Sequence, residues 1–285
     1  MELARTVSEV RYAVAAARAA GERIGLVPTM GYLHDGHLSL IAAAKRTCSW
    51  VGLSSFVNPL QFGPAEDLSR YPRDMERDFA LAESAGVAQL FAPSAAEMYP
   101  GGEPWVVVVP EHGSDRLCGA SRPGHFRGVL TVVAKLIHIY SPDVAVFGQK
   151  DYQQLVLIRR MAEDLNMDIT IEMAPIVRER DGLAMSSRNI YLSDDERTRA
   201  LALSKALGRC EDLFRSGERV AANYRRTLAQ AAGAGVQMEY GEVVDPNTLE
   251  PVDEVSEGVV CAIAARVGST RLIDNVVLGS ETFQE

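Results

Sequence analysis

The sequence predicts an α/β fold, a doubly wound parallel sheet followed by a second, smaller α+β domain at the C-terminal end. Short apolar segments alternate with amphipathic segments of helix length from residue 7 to residue 173, the pattern of strands joined by crossover helices. After residue 173 the alternation stops, and a polar loop, long helices and late strand-like runs take over. A chain of 285 residues is also long enough for two domains that each bury a core.

Thr6 and Glu9 have capping-box spacing, and Val7, Val10 and Val14 recur on one helical face until Gly21, so a first helix ends there. An apolar strand at 24–27 is closed by Pro28, residues 31–36 form a loop, and a helical pattern runs over 37–46. Strands at 50–57 and 89–92 flank a helix at 72–85. A strand at 105–109, a helix at 128–140, a strand at 144–147, a helix at 152–166 and a strand at 169–173 continue the series. Helices of this length lie on both faces of a parallel sheet, a Rossmann-like arrangement whose ligands bind beyond the carboxyl ends of the strands. A polar loop at 178–189 and a capping box from Ser193 to Glu196 then open helices at 193–215 and 219–232, followed by strands at 236–244, 258–266 and 271–278. The expected division is 1–176, a nucleotide- and substrate-binding domain, and 177–285, a smaller C-terminal α+β lid domain.

Composition narrows the function classes. Hydrophobic residues make up 47% and charged residues 24% of the chain, an ordinary globular balance that excludes disordered and disulfide-scaffold classes. The formal charge of -9, from 29 basic and 38 acidic side chains, opposes long-range attraction to nucleic acid or anionic lipid, so neither is expected as a partner. Lys135 and His138 interrupt the longest apolar candidate, 129–140, well short of the ~18 residues of a membrane span. Residues 1–11 carry no signal-like apolar run, and a cytoplasmic protein is expected. Cys48, Cys118, Cys210 and Cys261 form no CxxC pair and read as four incidental or buried thiols.

The chemistry-bearing residues gather at predicted strand ends. Met30, Gly31, His34, Gly36 and His37 lie in PTMGYLHDGH at 28–37, a strand-to-helix junction where backbone N–H groups and the helix dipole favour an anion, with phosphate the natural candidate. Zinc at His34 and His37 is the minor reading, because no further Cys, His or HExxH ligands accompany them, and no protein-held metal is assigned. Gly148, Gln149, Lys150 and Asp151 repeat the logic at a second strand end, with a close-approach glycine, a cation for phosphate and an acid for ribose hydroxyls. Met185, Ser186, Ser187, Arg188 and Asn189 offer two hydroxyls and a guanidinium that can close over phosphates. Asn58, Gln61, Gln153 and Gln154 place neutral amides where a small polar substrate would need them, and the basic loop 122–128, with Arg122 and His125, is a candidate movable wall. No GxxxxGK[ST] loop is present, and Gly233 and Gly235 precede a strand where a dinucleotide fingerprint would follow one. The residues alone therefore reach an ATP-using α/β enzyme with a small polar substrate.

Seven runs carry a resemblance that spans nearly the whole chain: PTMGYLHDGH at 28, NPLQF at 58, YPRD at 71, RPGHFRGV at 122, FGQKDYQQ at 147, DGLAMSSRN at 181 and LIDN at 272. Together they resemble the pantothenate synthetase family, with residues 34–37 similar to the HIGH signature of nucleotidyltransferases and 185–188 similar to its KMSKS-like loop. The site motifs match without substitution; Ile137 and His138 stand where Phe-Asn would be expected. The resemblance implies ATP-dependent joining of (R)-pantoate to β-alanine through pantoyl adenylate, releasing diphosphate and AMP, in a cytoplasmic homodimer. It implies that His34 and His37 meet the phosphates, His37 at the leaving group, and that Lys150 supplies a point charge. Ser186, Ser187 and Arg188 would hold the β and γ phosphates, Gly148 and Asp151 the ribose, while Met30, Gly31, Gln149, Val177 and Met185 complete the ATP pocket. Gln61 and Gln154 would hydrogen-bond pantoate, with Phe62 and Met30 against its methyl groups and Asn58, Tyr71, Arg122 and His125 completing the pantoate and β-alanine site. Mg²⁺ would bridge phosphate oxygens, and loops 122–128 and 178–189 would exclude water from the mixed anhydride. Another HxGH nucleotidyltransferase, a non-catalytic nucleotide-binding module and a metal-dependent hydrolase are the competing readings.

Overall fold

Parallel pairing throughout joins β1 (Glu2–Ala4), β2 (Ile24–Thr29), β3 (Trp50–Ser55), β4 (Gln89–Phe91), β5 (Val144–Gly148) and β6 (Thr170–Ala174) in the order β1-β4-β3-β2-β5-β6. This is the expected doubly wound α/β sheet, and its order reverses between β2 and β5. The computed structural model describes residues 1–64 and 66–280. These form two compact units, one made of the described residues within 1–111, 122–148 and 157–174, the other of those within 112–121, 149–156 and 175–280.

In the first unit, α1 (Val7–Ala19) begins at the predicted capping box, with Thr6 and Glu9 exchanging side-chain and backbone bonds. The core between α2 (Asp35–Lys45), α3 (Met75–Ser84) and the sheet includes Leu40, Ile41, Val27, Leu53, Leu90 and Val146, each under 9% exposed. A short α4 (Ala95–Met98) precedes α6 (His125–Tyr140), which is buried on nearly every side. The departure at 137–138 is absorbed there, since Ile137 packs inside while His138 is exposed and bonds the Ala134 carbonyl 2.8 Å away.

Three details differ from the sequence reading. Pro28 does not end β2 but lies within it, because β5 pairs with β2 only at Gly25 and Leu26 and leaves that edge open where the missing N–H would fall. Residues 105–109 form no strand; Trp105 and Val106 are exposed, and the Val108 N–H goes to the Thr131 hydroxyl at 3.0 Å. A propensity for strand does not supply a pairing partner. Conversely, β1 forms from three residues because β4 offers them a ladder.

The second unit contains α5 (Leu117–Ser121) and the start of α7 (Tyr152–Asp164), whose remainder belongs to the first unit. It continues with α8 (Asp194–Arg215), opened by the predicted Ser193 and Glu196 box, and α9 (Ala221–Ala229). These helices pack on an antiparallel sheet of β7 (Val236–Val244), β8 (Val260–Val267) and β9 (Thr270–Val277) through Leu203, Leu207, Tyr224, Leu228, Ile263 and Val276. The smaller α+β domain is thus present. All four cysteines are free and buried, and among the described residues no helix is long and apolar enough to cross a membrane.

Candidate active site

At the switch point of the first sheet, β2 runs into the loop that carries Met30, Gly31 and His34 and leads to His37 in the first turn of α2. Gly31 and Tyr32 have φ of 81° and 52°, a left-handed backbone that a tyrosine adopts only when its surroundings impose it. Asp78 of α3 imposes it: its carboxylate accepts the N–H groups of Tyr32 and Leu33, both at 2.7 Å. A Cβ at position 31 would fall 2.5 Å from the Ser55 hydroxyl and 2.9 Å from Asp78, so glycine is required. Burial pushes the Asp78 carboxyl above its usual range, against the pull of these two N–H bonds. The loop delivers His34 to the N-cap of α2, where the His37 ring stacks on it with centroids 4.0 Å apart. Both imidazoles therefore sit at the positive end of a helix dipole. Gly148 ends β5, the strand next to β2, and a Cβ added there would lie 3.9 Å from Leu40 of α2.

A second constellation in the same unit gathers four of the predicted substrate residues. Asn58 caps the 3-10 turn Pro59–Gln61 and is wholly buried; it donates to Gln61 Oε1 and to the Gly128 carbonyl, both at 3.1 Å, and accepts from the Tyr99 hydroxyl at 2.8 Å. Its amide is thereby committed to orienting Gln61, whose own Nε2 lies 3.2 Å from the Met30 sulfur. The Gln61 carbonyl is held by Arg122 at 3.2 Å and by His125 Nδ1 at 2.9 Å. Arg122 also forms a two-pronged pair with Glu66, Nε to Oε1 at 2.9 Å and Nη2 to Oε2 at 2.5 Å. Burial raises the Glu66 carboxyl, but the Arg122 bond and charge, with His125, bring it below the usual carboxylate range overall. Tyr71 is buried with its ring edge-on to Phe62 at 5.9 Å.

The second unit holds the remaining predicted residues. Gln149, Lys150 and Asp151 form one 3-10 turn, with Lys150 Nζ 4.0 Å from the Asp151 carboxylate. Gln154 is half-buried on α7, whereas Gln153 is buried and bonds the Cys118 N–H and the carbonyls of Gly113 and Arg116. Residues 177–185 fold back on themselves: Arg178 pairs with Ala184, and the Met185 N–H donates to the Val177 carbonyl at 3.0 Å, bringing those two apolar residues side by side. Ser186 then caps the 3-10 turn Ser187–Tyr191 by accepting the Arg188 N–H at 3.3 Å, and Asn189 bonds Glu179 and the Ala184 carbonyl.

Sequence reading missed Asp78, Glu66 and Tyr99, since single acids or phenols in polar segments announce no partner far along the chain. Only Asp78 left a signal, because it shares the inward face of α3 with Ala82, a position where the helical period calls for an apolar residue.

This geometry defines a class: a parallel-sheet α/β protein with an HxGH turn at the switch point, where such sheets receive their ligands. A sequence profile of the pantoate-beta-alanine ligase family matches residues 2–277. The chain is 55% identical over 280 residues to the pantothenate synthetase of Moorella thermoacetica, covering 98% of this chain and 99% of that one. The crystal structure of pantothenate synthetase from Thermus thermophilus superposes with a TM-score of 0.92 at 45% identity, covering 97% of this chain and 99% of the other. The pantoate-beta-alanine ligase of Francisella tularensis, crystallised with β-γ ATP and β-alanine, superposes at 0.83 with 31% identity, covering 99% of this chain and all of that one. The chain belongs to the pantoate-beta-alanine ligase family and is a ligase.

Proposed function

We propose that the chain condenses (R)-pantoate with β-alanine, using ATP, to give pantothenate, AMP and diphosphate. The observation that carries this reading is that the family match, residues 2–277, takes in every site segment of both units, from Met30 to Asn275. In the first step a pantoate carboxylate oxygen bonds the α-phosphorus of ATP, the bond to the β-phosphate oxygen breaks, and diphosphate leaves with that electron pair. In the second, the β-alanine amine attacks the acyl carbon of pantoyl adenylate, the acyl–phosphate bond breaks, AMP leaves and the amine loses a proton.

Negative charge gathers on the α-phosphate and on diphosphate in the first step, so fixed donors aimed there lower its barrier. His34 and His37 serve this purpose at the N-terminus of α2, with Gly31 giving the turn that aims them. Lys150 adds a point charge, and Ser186, Ser187 and Arg188 hold the outer phosphates. Gly148 and Asp151 take the ribose, and Met30, Gly31, Gln149, Val177 and Met185 contribute to ATP binding. Gln61 and Gln154 bind pantoate. Asn58, Tyr71, Arg122 and His125 complete the pantoate and β-alanine site, with Asn58, Arg122 and His125 also fixing Gln61 and Phe62 on the apolar side. Mg²⁺ enters with ATP as one substrate complex and neutralises phosphate charge. The resemblance also supports a cytoplasmic homodimer.

Incubation with ATP, Mg²⁺ and pantoate, with and without β-alanine, tests the reading through AMP and diphosphate. Turnover that needs pantoate, and becomes continuous with pantothenate appearing when β-alanine is added, is expected. ATP binding without diphosphate release from any combination would overturn it and leave a nucleotide-binding module.

A further inference from the structure

The run LIDN near the end of the chain places two polar residues in the interior on β9: Asp274 is 4% exposed and Asn275 2%. Burying such groups costs free energy unless their hydrogen bonds are satisfied, so their partners show what they support.

Asp274 takes both arms of the Arg178 guanidinium, Nη1 to Oδ2 at 2.7 Å and Nη2 to Oδ1 at 3.0 Å, and Nη1 also donates to the Gly182 carbonyl at 3.1 Å. This bidentate ion pair fixes the fold-back of residues 177–185, from which Ser186, Ser187 and Arg188 emerge. The neighbouring Asn275 reaches another segment. Its Nδ2 donates to the carbonyls of Gln149 and Lys150, both at 3.0 Å, and its Oδ1 accepts from Gln149 Nε2 at 3.2 Å. The two carbonyls flank the Lys150 Cα, so the backbone that carries the ammonium is clamped on both sides. Successive side chains of a strand project to opposite faces, which lets one dipeptide hold two segments that lie apart in sequence.

We infer that Asp274 and Asn275 are positioning residues for the ligase reaction: Asn275 sets the origin of the Lys150 side chain, and Asp274, through Arg178, sets the loop bearing Ser186, Ser187 and Arg188. The inference rests on the phosphate roles proposed above for those residues. Neither Asp274 nor Asn275 reacts; each removes play from a group whose placement within about 1 Å is worth on the order of 10²-fold in rate.

A double-mutant cycle tests it. The diphosphate-forming rate is measured for Asn275→Ala, Lys150→Ala and the double variant, with folding checked by thermal melting. Asn275→Ala is expected to lower the rate roughly 10- to 100-fold in the native background and to have little further effect once Lys150 is alanine. Equal losses in the two backgrounds would overturn the positioning role while leaving Lys150 in place. An unchanged rate in Lys150→Ala would instead overturn the phosphate role of Lys150. If Asn275→Ala does not fold, Asn275→Ser, which keeps a donor, enters the same cycle with the same criteria. The Asp274 arm is read with Asp274→Asn and Arg188→Ala, where equal losses in both backgrounds overturn it.

Discussion

The His37 ring stacks on that of His34 at 29° between planes, and its Nδ1 lies 3.3 Å from the His34 backbone N–H, which it accepts. That bond leaves the proton of the neutral imidazole on Nε2, so the nitrogen on the far side of the ring is a donor. A donor held rigidly at a helix N-terminus suits the departing diphosphate. His37→Ala is expected to slow diphosphate formation on the order of 10²- to 10³-fold, the usual effect of removing one transition-state donor, and His37→Gln, which keeps an N–H, should lose less. Single-turnover quench with ATP and pantoate measures both; equal rates for the two variants would remove the donor role.

Asp78 holds the same loop from beneath. Removing its carboxylate leaves the Tyr32 and Leu33 amides without their acceptor and releases Tyr32 from its positive φ. Asp78→Ala should therefore destabilise by about 2–4 kcal/mol, the cost of two poorly satisfied backbone donors. Any folded fraction should adenylate pantoate slowly. Urea denaturation with and without ATP checks this, and a variant as stable as the native chain would show that the loop finds other partners.

Much of this was readable in the residues. The Thr6/Glu9 and Ser193/Glu196 boxes marked two helix starts, the strand and helix periods marked the α/β class, and PTMGYLHDGH marked the strand-to-helix junction that brings His34 and His37 to the N-terminus of α2. What escaped reading depends on partners distant in sequence. Asp78 bonds residues 45 and 46 positions away, Glu66 is defined by Arg122 56 positions away, and β1 exists only because β4 pairs with it. The apolar run at 105–109 failed in the opposite direction, having strand composition without a strand to pair with.

The Arg122–Glu66 pair makes stability depend on pH. Glu66 titrates below its usual value of 4.5 in the folded chain, so the unfolded chain binds its proton first as pH falls. Its stabilisation is full above about pH 4.5 and is lost as pH drops through the lowered folded value. Glu66→Gln should accordingly be less stable than the native chain at pH 7, and the gap should narrow as the pH falls below about 4.5. Denaturation midpoints across that range are the measurement; a gap independent of pH would mean that the ion pair is not its source.

Gln61 and Asn58 should separate function from folding. The pantoate role proposed for Gln61 belongs to its side-chain amide, while its backbone carbonyl holds Arg122 and His125, so Gln61→Ala keeps those anchors and should mainly raise the KM for pantoate, with stability within about 1 kcal/mol of the native chain. Asn58→Ala instead strips partners from the buried Tyr99 hydroxyl and the Gly128 carbonyl, at a cost of about 2–4 kcal/mol. Gly128 gives an independent check on the same turn. A Cβ there would lie 2.3 Å from the Leu60 carbonyl oxygen and 2.6 Å from the Gln61 N, backbone atoms that must move. Gly128→Ala should thus displace the 3-10 turn, lowering stability by roughly 1–3 kcal/mol and raising the pantoate KM together. Steady-state kinetics in pantoate beside chemical denaturation distinguish the three variants: a Gln61→Ala that loses stability as much as Asn58→Ala, or a Gly128→Ala that leaves the pantoate KM unchanged, would break the link between this turn and acid recognition.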